Sequence, residues 1–359
     1  MKKFTQMYSA TVLGTGNNNG INLLSDKEYV FKSYYKLRTD GQNRYTLFFV
    51  NSVDSTGNCK AGKKGDGYIV TKAYAAFSPD KEQEENITPI TFDSKVEKIV
   101  SVGEEYESDA FDFTYKKDGY LVLCFNVKTN GRVFLPATNE SASTGRMFVD
   151  GEEKWCDNFV LRPAFIGCDK PMTKTVGFWG DSITQGTRTG IDKYEAWSHR
   201  IGSSMPDYIS FWNIGMGWAR GYDASLGGVF TQKAAMCDEV FMCFGVNDIR
   251  SGGRSADELI EDLEKAKALL KEQNNNIKVH FMTVPPFNMS EYEEAQRKRV
   301  NEYIKQTEGF FDIAACLECD AVGSVKSEYM ASSDDAHPNG DGGKAVYEGF
   351  LKWQEKNKW

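Results

Sequence analysis

Up to about residue 168, the chain shows the short alternation of polar and apolar positions that is typical of β-strands. Runs rich in aromatic and branched residues cover residues 45–50, 68–71, 111–115 and 120–127. Turn-forming pairs such as Asp66-Gly67 separate them, and no segment has a useful helical period. The pattern predicts an all-β domain over residues 1–168, an antiparallel sandwich of the jelly-roll type.

From about residue 173, apolar strands alternate with amphipathic helices. Strands are predicted at residues 175–179, 208–214, 239–244, 278–284 and 309–313, and helices at residues 255–273, from 290 onward and at 342–356. Ser255 with Glu258, and Ser290 with Glu293, form capping boxes at the starts of two helices. This alternation predicts a parallel α/β domain over residues 169–359. Its ligand site should lie at the carboxyl ends of the strands.

Length and charge limit the partners. A chain of 359 residues is longer than one hydrophobic core usually supports, which favours two domains. The net charge of −8 argues against nucleic acid or an anionic membrane surface as the partner. No apolar run reaches the length of about 18 residues that a membrane span needs, and none follows the first lysines as in a signal peptide. We therefore expect a cytoplasmic protein.

The eight cysteines are expected to be free thiols. A chain of this size does not need disulfides, and Cys124 and Cys243 lie within apolar, strand-like runs. Cys316 and Cys319 form a single CxxC pair without a second pair beside it, so we expect no metal site and no cofactor. The full set is Cys59, Cys124, Cys156, Cys168, Cys237, Cys243, Cys316 and Cys319.

Four short motifs stand out in the second region, three after predicted strands and one before the last helix. In chain order they are Gly180-Asp181-Ser182-Ile183-Thr184-Gln185-Gly186, Asn213-Ile214-Gly215-Met216-Gly217-Trp218, Gly245-Val246-Asn247-Asp248 and Asp334-Asp335-Ala336-His337-Pro338. Together they resemble the four blocks of the SGNH/GDSL hydrolase family. The resemblance covers about 185 residues and implies a three-layer, flavodoxin-like fold. With the β-sandwich in front, the chain resembles two-domain bacterial carbohydrate acetylesterases.

A serine nucleophile needs a base within hydrogen-bonding reach, and only three histidines are available. His337 alone has a carboxylate placed to orient it, which indicates Ser182 as nucleophile and His337 as general base. The DxxH pattern of the family selects Asp334 as the orienting carboxylate. On a helix-like turn, the neighbouring Asp335 would point elsewhere.

The resemblance also implies three donors for the oxyanion of the tetrahedral intermediate. They are the backbone N–H of Ser182, a backbone N–H in the second motif and the side-chain amide of Asn247. The family usually has glycine five residues after the asparagine, where this chain has Trp218, preceded by Gly217. Either of these two residues could supply the second donor.

These features predict a serine esterase that hydrolyses short-chain acyl esters, with O-acetyl groups on carbohydrates as the favoured substrates. The partner would then be a small-molecule or oligosaccharide ester. The alternatives are a short-chain lipid esterase or thioesterase, and a carbohydrate-binding protein whose enzyme domain is vestigial. The intact set of Ser182, Asn247, Asp334 and His337 argues against the last.

Overall fold

The computed structural model describes residues 8–14, 17–55, 61–139, 143–319 and 323–359. The described strands of the first region are β1 Tyr8–Ser9, β2 Asn19–Leu23, β3 Tyr29–Tyr35, β4 Gly41–Val50, β5 Ser52–Ser55, β6 Ala61–Lys64, β7 Tyr68–Ser78, β8 Glu85–Ile90, β9 Lys98–Val100, β10 Glu105–Glu107, β11 Phe111–Tyr115, β12 Tyr120–Lys128, β13 Val133–Asn139, β14 Gly145–Val149, β15 Glu152–Lys154, β16 Phe159–Val160 and β17 Phe165–Cys168.

The two larger sheets of this region are antiparallel and share one aromatic core. One has the order β1-β17-β4-β10, with β11 also on β4, and the other has the order β15-β14-β3-β12-β7-β8, with β9 also on β7. Phe49 of the first sheet packs edge-to-face on Phe125 of the second, with ring centroids 5.4 Å apart, and stacks on Tyr106 at 4.8 Å. This packing agrees with the predicted β-sandwich.

The second region is built on a parallel sheet. Its described elements are β18 Lys174–Gly180, α1 Ser182–Gln185, α2 Trp197–Ser204, β19 Ile209–Gly215, α3 Gly221–Ala224, α4 Val229–Ala234, β20 Glu239–Cys243, α5 Val246–Arg250, α6 Ala256–Gln273, β21 Lys278–Phe281, α7 Glu291–Ile304, α8 Ile313–Leu317, a 3₁₀ turn Ser327–Tyr329, β22 Met330–Ser332, β23 Asp335–Pro338 and α9 Gly340–Asn357.

The order of the parallel strands is β19-β18-β20-β21, which is the doubly wound order second, first, third, fourth. Helices α2 and α8 pack on α9, whereas α3, α4 and α7 pack on α6. The sheet and its two groups of helices confirm the predicted α/β fold. Both capping boxes form as predicted, at the starts of α6 and α7.

The predicted fifth strand at residues 309–313 is wrong. Phe311 makes only an isolated parallel bridge to Met282, beyond the end of β21. The chain then leaves the sheet because the side chain of Asp312 accepts the N–H of Ala315 and caps α8. The apolar run is therefore divided between one bridging residue and the start of a helix.

A continuous hydrophobic core joins the two regions. Phe165 of β17 packs edge-to-face on Trp212 of β19 at 5.0 Å, and the Trp212 indole donates a hydrogen bond to the carbonyl of Ala164. An ion pair of 2.5 Å, fully buried, joins Lys233 of α4 to Asp54 of β5. The two regions therefore contact each other through apolar packing and through a pair of desolvated charges.

The seven cysteines within the described residues are free thiols, and Cys59 lies outside those residues. Cys124, Cys168, Cys237 and Cys243 are buried. No metal-binding group of His, Cys, Asp and Glu side chains occurs within the described ranges. Among the helices of those ranges, none is both long and apolar enough to cross a membrane.

Candidate active site

Ser182 lies where β18 ends at the carboxyl edge of the parallel sheet, as the first residue of α1. Asp181 caps this short helix, because its Oδ1 accepts the N–H of Ile183 at 2.9 Å. Burial raises the pKa of the Asp181 carboxyl to about 7. The helix ends at Gly186, whose φ of +96° is a left-handed conformation that glycine adopts easily. The sharp turn leaves the Ser182 hydroxyl partly exposed.

Ser182, His337 and Asp335 form a hydrogen-bonded relay. Ser182 Oγ lies 2.9 Å from His337 Nε2, and His337 Nδ1 lies 2.5 Å from Asp335 Oδ1. A carboxylate only accepts hydrogen bonds, so Nδ1 carries the proton and Nε2 is free to accept one from the serine hydroxyl. This is the tautomer that a general base requires.

The structure corrects the prediction of Asp334 as the orienting carboxylate. Asp334 is exposed and its Oδ1 pairs with Ser332 Oγ, whereas Asp335 contacts the imidazole. The prediction assumed a helix-like turn, but Asp335 and His337 both lie on β23. Side chains two residues apart on a strand project from the same face, which brings these two together.

The surroundings of His337 disfavour its charged form. Burial lowers the pKa of its imidazole, Asp335 opposes this effect, and the nearby cations Arg188 and Arg250 lower the pKa further. The Phe287 ring stands perpendicular to the imidazole, with ring centroids 4.9 Å apart. The Arg250 guanidinium lies 5.2 Å from the centroid of the Phe287 ring. These surroundings therefore favour the neutral imidazole, the form that can accept a proton.

The second motif places Gly217 and Trp218 beside α1. The Gly217 N–H donates to Gln185 Oε1 at 2.8 Å, so this donor is already occupied. Trp218 takes a left-handed backbone with φ of +68°, a region where glycine is normally found. Within the described chain its N–H has no hydrogen-bond acceptor. Its indole is 67% exposed and lines the cavity in front of Ser182.

The third motif begins α5. Asn247 lines the same cavity, and its Nδ2 donates one hydrogen bond to the carbonyl of Ala219 at 3.1 Å. An amide nitrogen has two protons, so a second donor is available. The buried Asp248 accepts the N–H groups of Gly221 and Tyr222, at 3.0 and 3.1 Å. Asp248 thus fixes the third motif against the start of α3.

Gln185 belongs to the first motif but was assigned no role from the sequence. Its buried side chain accepts the Gly217 N–H through Oε1 and donates from Nε2 to the carbonyl of Asn139 at 2.7 Å. One amide thus joins the serine turn, the second motif and β13 of the first region. These partners are 32 and 46 residues away in sequence, and no local pattern links them.

Ser182 and His337 open into a cavity of about 830 Å³. The segments that follow β18, β19, β20 and β21, which we call the catalytic loops, line it with Thr187, Arg188, Thr189, Ile191, Trp218, Val246, Asn247, Arg250, Ser251 and Phe287. Residues of the β region line it as well. Ser182, His337 and the predicted residues Gly217, Trp218 and Asn247 therefore share one cavity, and neither Asp334 nor Asp335 is among the residues that line it.

Residues 178–345 match the model of the GDSL-like Lipase/Acylhydrolase family. No curated protein matches the chain. Similar solved structures include a member of the lipolytic protein G-D-S-L family from Veillonella parvula, with 20% identity, 50% of this chain and 96% of that chain covered, and a TM-score of 0.41. A carbohydrate esterase family 3 protein from Talaromyces cellulolyticus has 18% identity, 51% and 97% coverage and a TM-score of 0.40. An acetyl xylan esterase from Geobacillus stearothermophilus has 19% identity, 51% and 95% coverage and a TM-score of 0.38.

Proposed function

Because residues 178–345 form a domain of the GDSL-like lipase/acylhydrolase family, we propose that the protein is a serine esterase working through an acyl-serine intermediate. The observation that carries the proposal is the relay of Ser182 Oγ, His337 Nε2 and Asp335 Oδ1, with distances of 2.9 and 2.5 Å. A serine hydroxyl is a weak nucleophile unless a base removes its proton, and His337 is placed to do so.

In the first half-reaction, Ser182 Oγ attacks the carbonyl carbon of the ester while His337 Nε2 takes the hydroxyl proton. The tetrahedral intermediate collapses when the C–O bond to the alcohol breaks, and the imidazolium returns its proton to the departing oxygen. In the second half-reaction, His337 deprotonates a water molecule that attacks the acyl-serine. The bond between the acyl carbon and Ser182 Oγ then breaks, the imidazolium returns its proton to Oγ, and the carboxylic acid leaves. Asp335 stays ionised and stabilises the imidazolium in both halves.

We propose that the oxyanion receives hydrogen bonds from the backbone N–H groups of Ser182 and Trp218 and from the side chain of Asn247. Gly217 is the weaker candidate because its N–H already donates to Gln185. In this proposal, Trp218 stands where the family motif usually has glycine, and its backbone N–H serves as the oxyanion donor of the second motif. Its left-handed backbone explains why that position usually holds glycine.

For the substrate, we propose short acyl groups, with O-acetyl groups on carbohydrates as the favoured class. The catalytic loops present Thr187, Arg188, Thr189, Arg250 and Ser251 to the cavity. A long alkyl chain would leave such polar groups without partners, at a cost of about 1–3 kcal/mol each. A lipid esterase or thioesterase remains the second candidate, because Ile191, Val246 and Phe287 add apolar surface to the same cavity.

A chain-length series of p-nitrophenyl esters tests this proposal. We expect kcat/KM to be highest for the acetyl ester and to fall for butyryl and octanoyl esters, and Ser182→Ala to lower kcat by about 10⁶-fold. A preference for the octanoyl ester would favour the lipid esterase. A wild-type protein that hydrolyses none of these esters would favour a carbohydrate-binding protein with a vestigial enzyme domain.

A further inference from the structure

One wall of the catalytic cavity is built by the β region. The residues that form it are mostly amides, with one carboxylate and one aromatic ring, and they are Asn18, Asn19, Asn139, Asp157, Asn158 and Phe159. We call this set the amide wall. Amide and carboxylate groups supply both donors and acceptors, and an aromatic face packs well against the C–H face of a sugar ring.

We infer that the amide wall is the subsite for the alcohol part of the ester, and that it selects a polyhydroxylated, sugar-like leaving group. This inference rests on the proposed esterase function. The acyl group must reach Ser182 and the oxyanion donors, which belong to the catalytic loops. The alcohol side of the ester then faces the part of the same cavity that the β region lines.

The amide wall has unused hydrogen-bonding capacity. Asn19 Oδ1 accepts the N–H of Gly20 at 2.9 Å, and Asn18 Oδ1 accepts the N–H of Asn139 at 3.5 Å. Within the described parts of the chain, neither Asn18 Nδ2 nor Asn19 Nδ2 donates a hydrogen bond. Each is an NH₂ group with two donors, which suits neighbouring hydroxyl oxygens of one ring.

The wall is also held in place before any ligand binds. Gln185 of the nucleophile helix donates to the carbonyl of Asn139 at 2.7 Å, which fixes one part of the wall to the serine turn. The segment before Asn18 is fixed by Asp54, whose Oδ2 accepts the Asn17 N–H at 3.2 Å and also pairs with the buried Lys233. A preformed wall loses little conformational entropy when it binds a ligand.

A strained turn supplies the third part of the wall. Asp157 and Asn158 are both left-handed, with φ of +47° and +60°. Asn139 Nδ2 donates to the Asp157 carbonyl at 2.9 Å, and the Gly145 N–H donates to Asn158 Oδ1 at 3.2 Å. Non-glycine residues in this conformation cluster where a binding surface must be shaped. Here the turn leads directly into Phe159, the aromatic member of the wall.

The test compares two substrates in purified full-length protein. Asn19→Ala and Phe159→Ala should each lower the ratio of kcat/KM for acetylated xylobiose or cellobiose to kcat/KM for p-nitrophenyl acetate by at least about tenfold, because only the sugar esters use the wall. The matched control is Asn22→Ala, an exposed asparagine on the same strand that does not line the cavity. Its ratio should equal that of the wild type.

Two outcomes would overturn the inference. They are a ratio that stays unchanged in both variants, with or without an equal loss on both substrates, and a wild type that cleaves p-nitrophenyl acetate but no acetylated sugar. In both, hydrolysis of p-nitrophenyl acetate that is lost in Ser182→Ala would still support the esterase proposal. Phe159→Leu, which keeps an apolar side chain on β16, serves if Phe159→Ala fails to fold.

Discussion

Asp335 contacts two functional side chains at once. Its Oδ1 binds His337, and its Oδ2 accepts a hydrogen bond from Arg188 Nε at 2.8 Å. Burial alone would raise the pKa of this carboxyl, but the bonds from His337 and Arg188 outweigh burial and lower it. The carboxylate therefore stays ionised when His337 gains a proton, which is the condition for stabilising the imidazolium.

We expect Asp335→Asn to damage catalysis far more than Asp334→Asn. The first change removes the acceptor for Nδ1–H, favours the wrong imidazole tautomer, and should lower kcat by up to about 10⁴-fold. The second removes an exposed carboxylate whose Oδ1 pairs with Ser332, and should leave kcat close to the wild-type value. Both are measured with p-nitrophenyl acetate, and the opposite ranking would restore Asp334 as the orienting residue.

Trp218 carries a backbone strain that a pair of variants can isolate. Alanine and glycine both remove the exposed indole, but only glycine adopts a φ of +68° without a steric cost. We expect Trp218→Gly to be more stable than Trp218→Ala by about 1 kcal/mol in urea unfolding. At an ordinary position alanine is the more stable of the two, so that order would show that the left-handed backbone is absent in solution.

Arg250 offers a test of the electrostatics around the base. Activity requires neutral His337, whose pKa lies below the ordinary value of 6.5, so kcat/KM should rise with pH with a midpoint below that value. Arg250→Gln removes a cation that lowers this pKa, so the acid limb should move to higher pH, by less than about one unit because salt screens an exposed charge. Arg299→Gln, an exposed arginine paired with Asp257, is the control. An unmoved limb in Arg250→Gln would contradict this account.

At the scale of elements, the hydrophobic periodicity was sufficient for the β region, four parallel strands and the two capped helices. It was not sufficient for residues 309–313, because an apolar run does not show where a chain leaves a sheet. The DxxH spacing similarly says nothing about local conformation, and the strand at Asp335–Pro338 decided between two adjacent carboxylates. The positioning role of Gln185 could not be predicted from the sequence, because its hydrogen-bond partners come together only after both regions have folded.

Through Gln185, helix α1 is hydrogen-bonded to Gly217 of the second motif and to Asn139 of β13. Gln185→Leu removes both hydrogen bonds and should lower kcat by about 10²-fold, since small displacements of catalytic groups are costly, while KM changes less. Gln185→Glu keeps the acceptor for Gly217 and should retain more activity. Gln273→Leu, on the exposed end of α6, is the control. A loss confined to KM would make Gln185 a substrate contact rather than a positioning residue.

At the scale of the whole molecule, the buried ion pair of Lys233 and Asp54 joins the two regions, so the stability of the folded protein depends on this contact. Burial raises the pKa of Asp54, and Lys233 opposes that rise. Removing one partner leaves a buried charge alone, so Lys233→Met should lower the free energy of unfolding by about 3–5 kcal/mol. The double variant Lys233→Met with Asp54→Leu should recover part of this loss in urea unfolding. No recovery would mean that the loss in Lys233→Met does not come from the unpaired charge of Asp54.

The same pair also limits how this protein can change in evolution. Two regions that contact each other only through apolar surface can be exchanged by recombination, because apolar packing is not specific to one partner surface. Here, a β region without an acidic group opposite Lys233 would leave the lysine as an unpaired buried cation. A catalytic region without Lys233 would leave Asp54 as an unpaired buried anion. We expect the two halves of such proteins to be inherited as one unit, with positions 54 and 233 changing together or not at all.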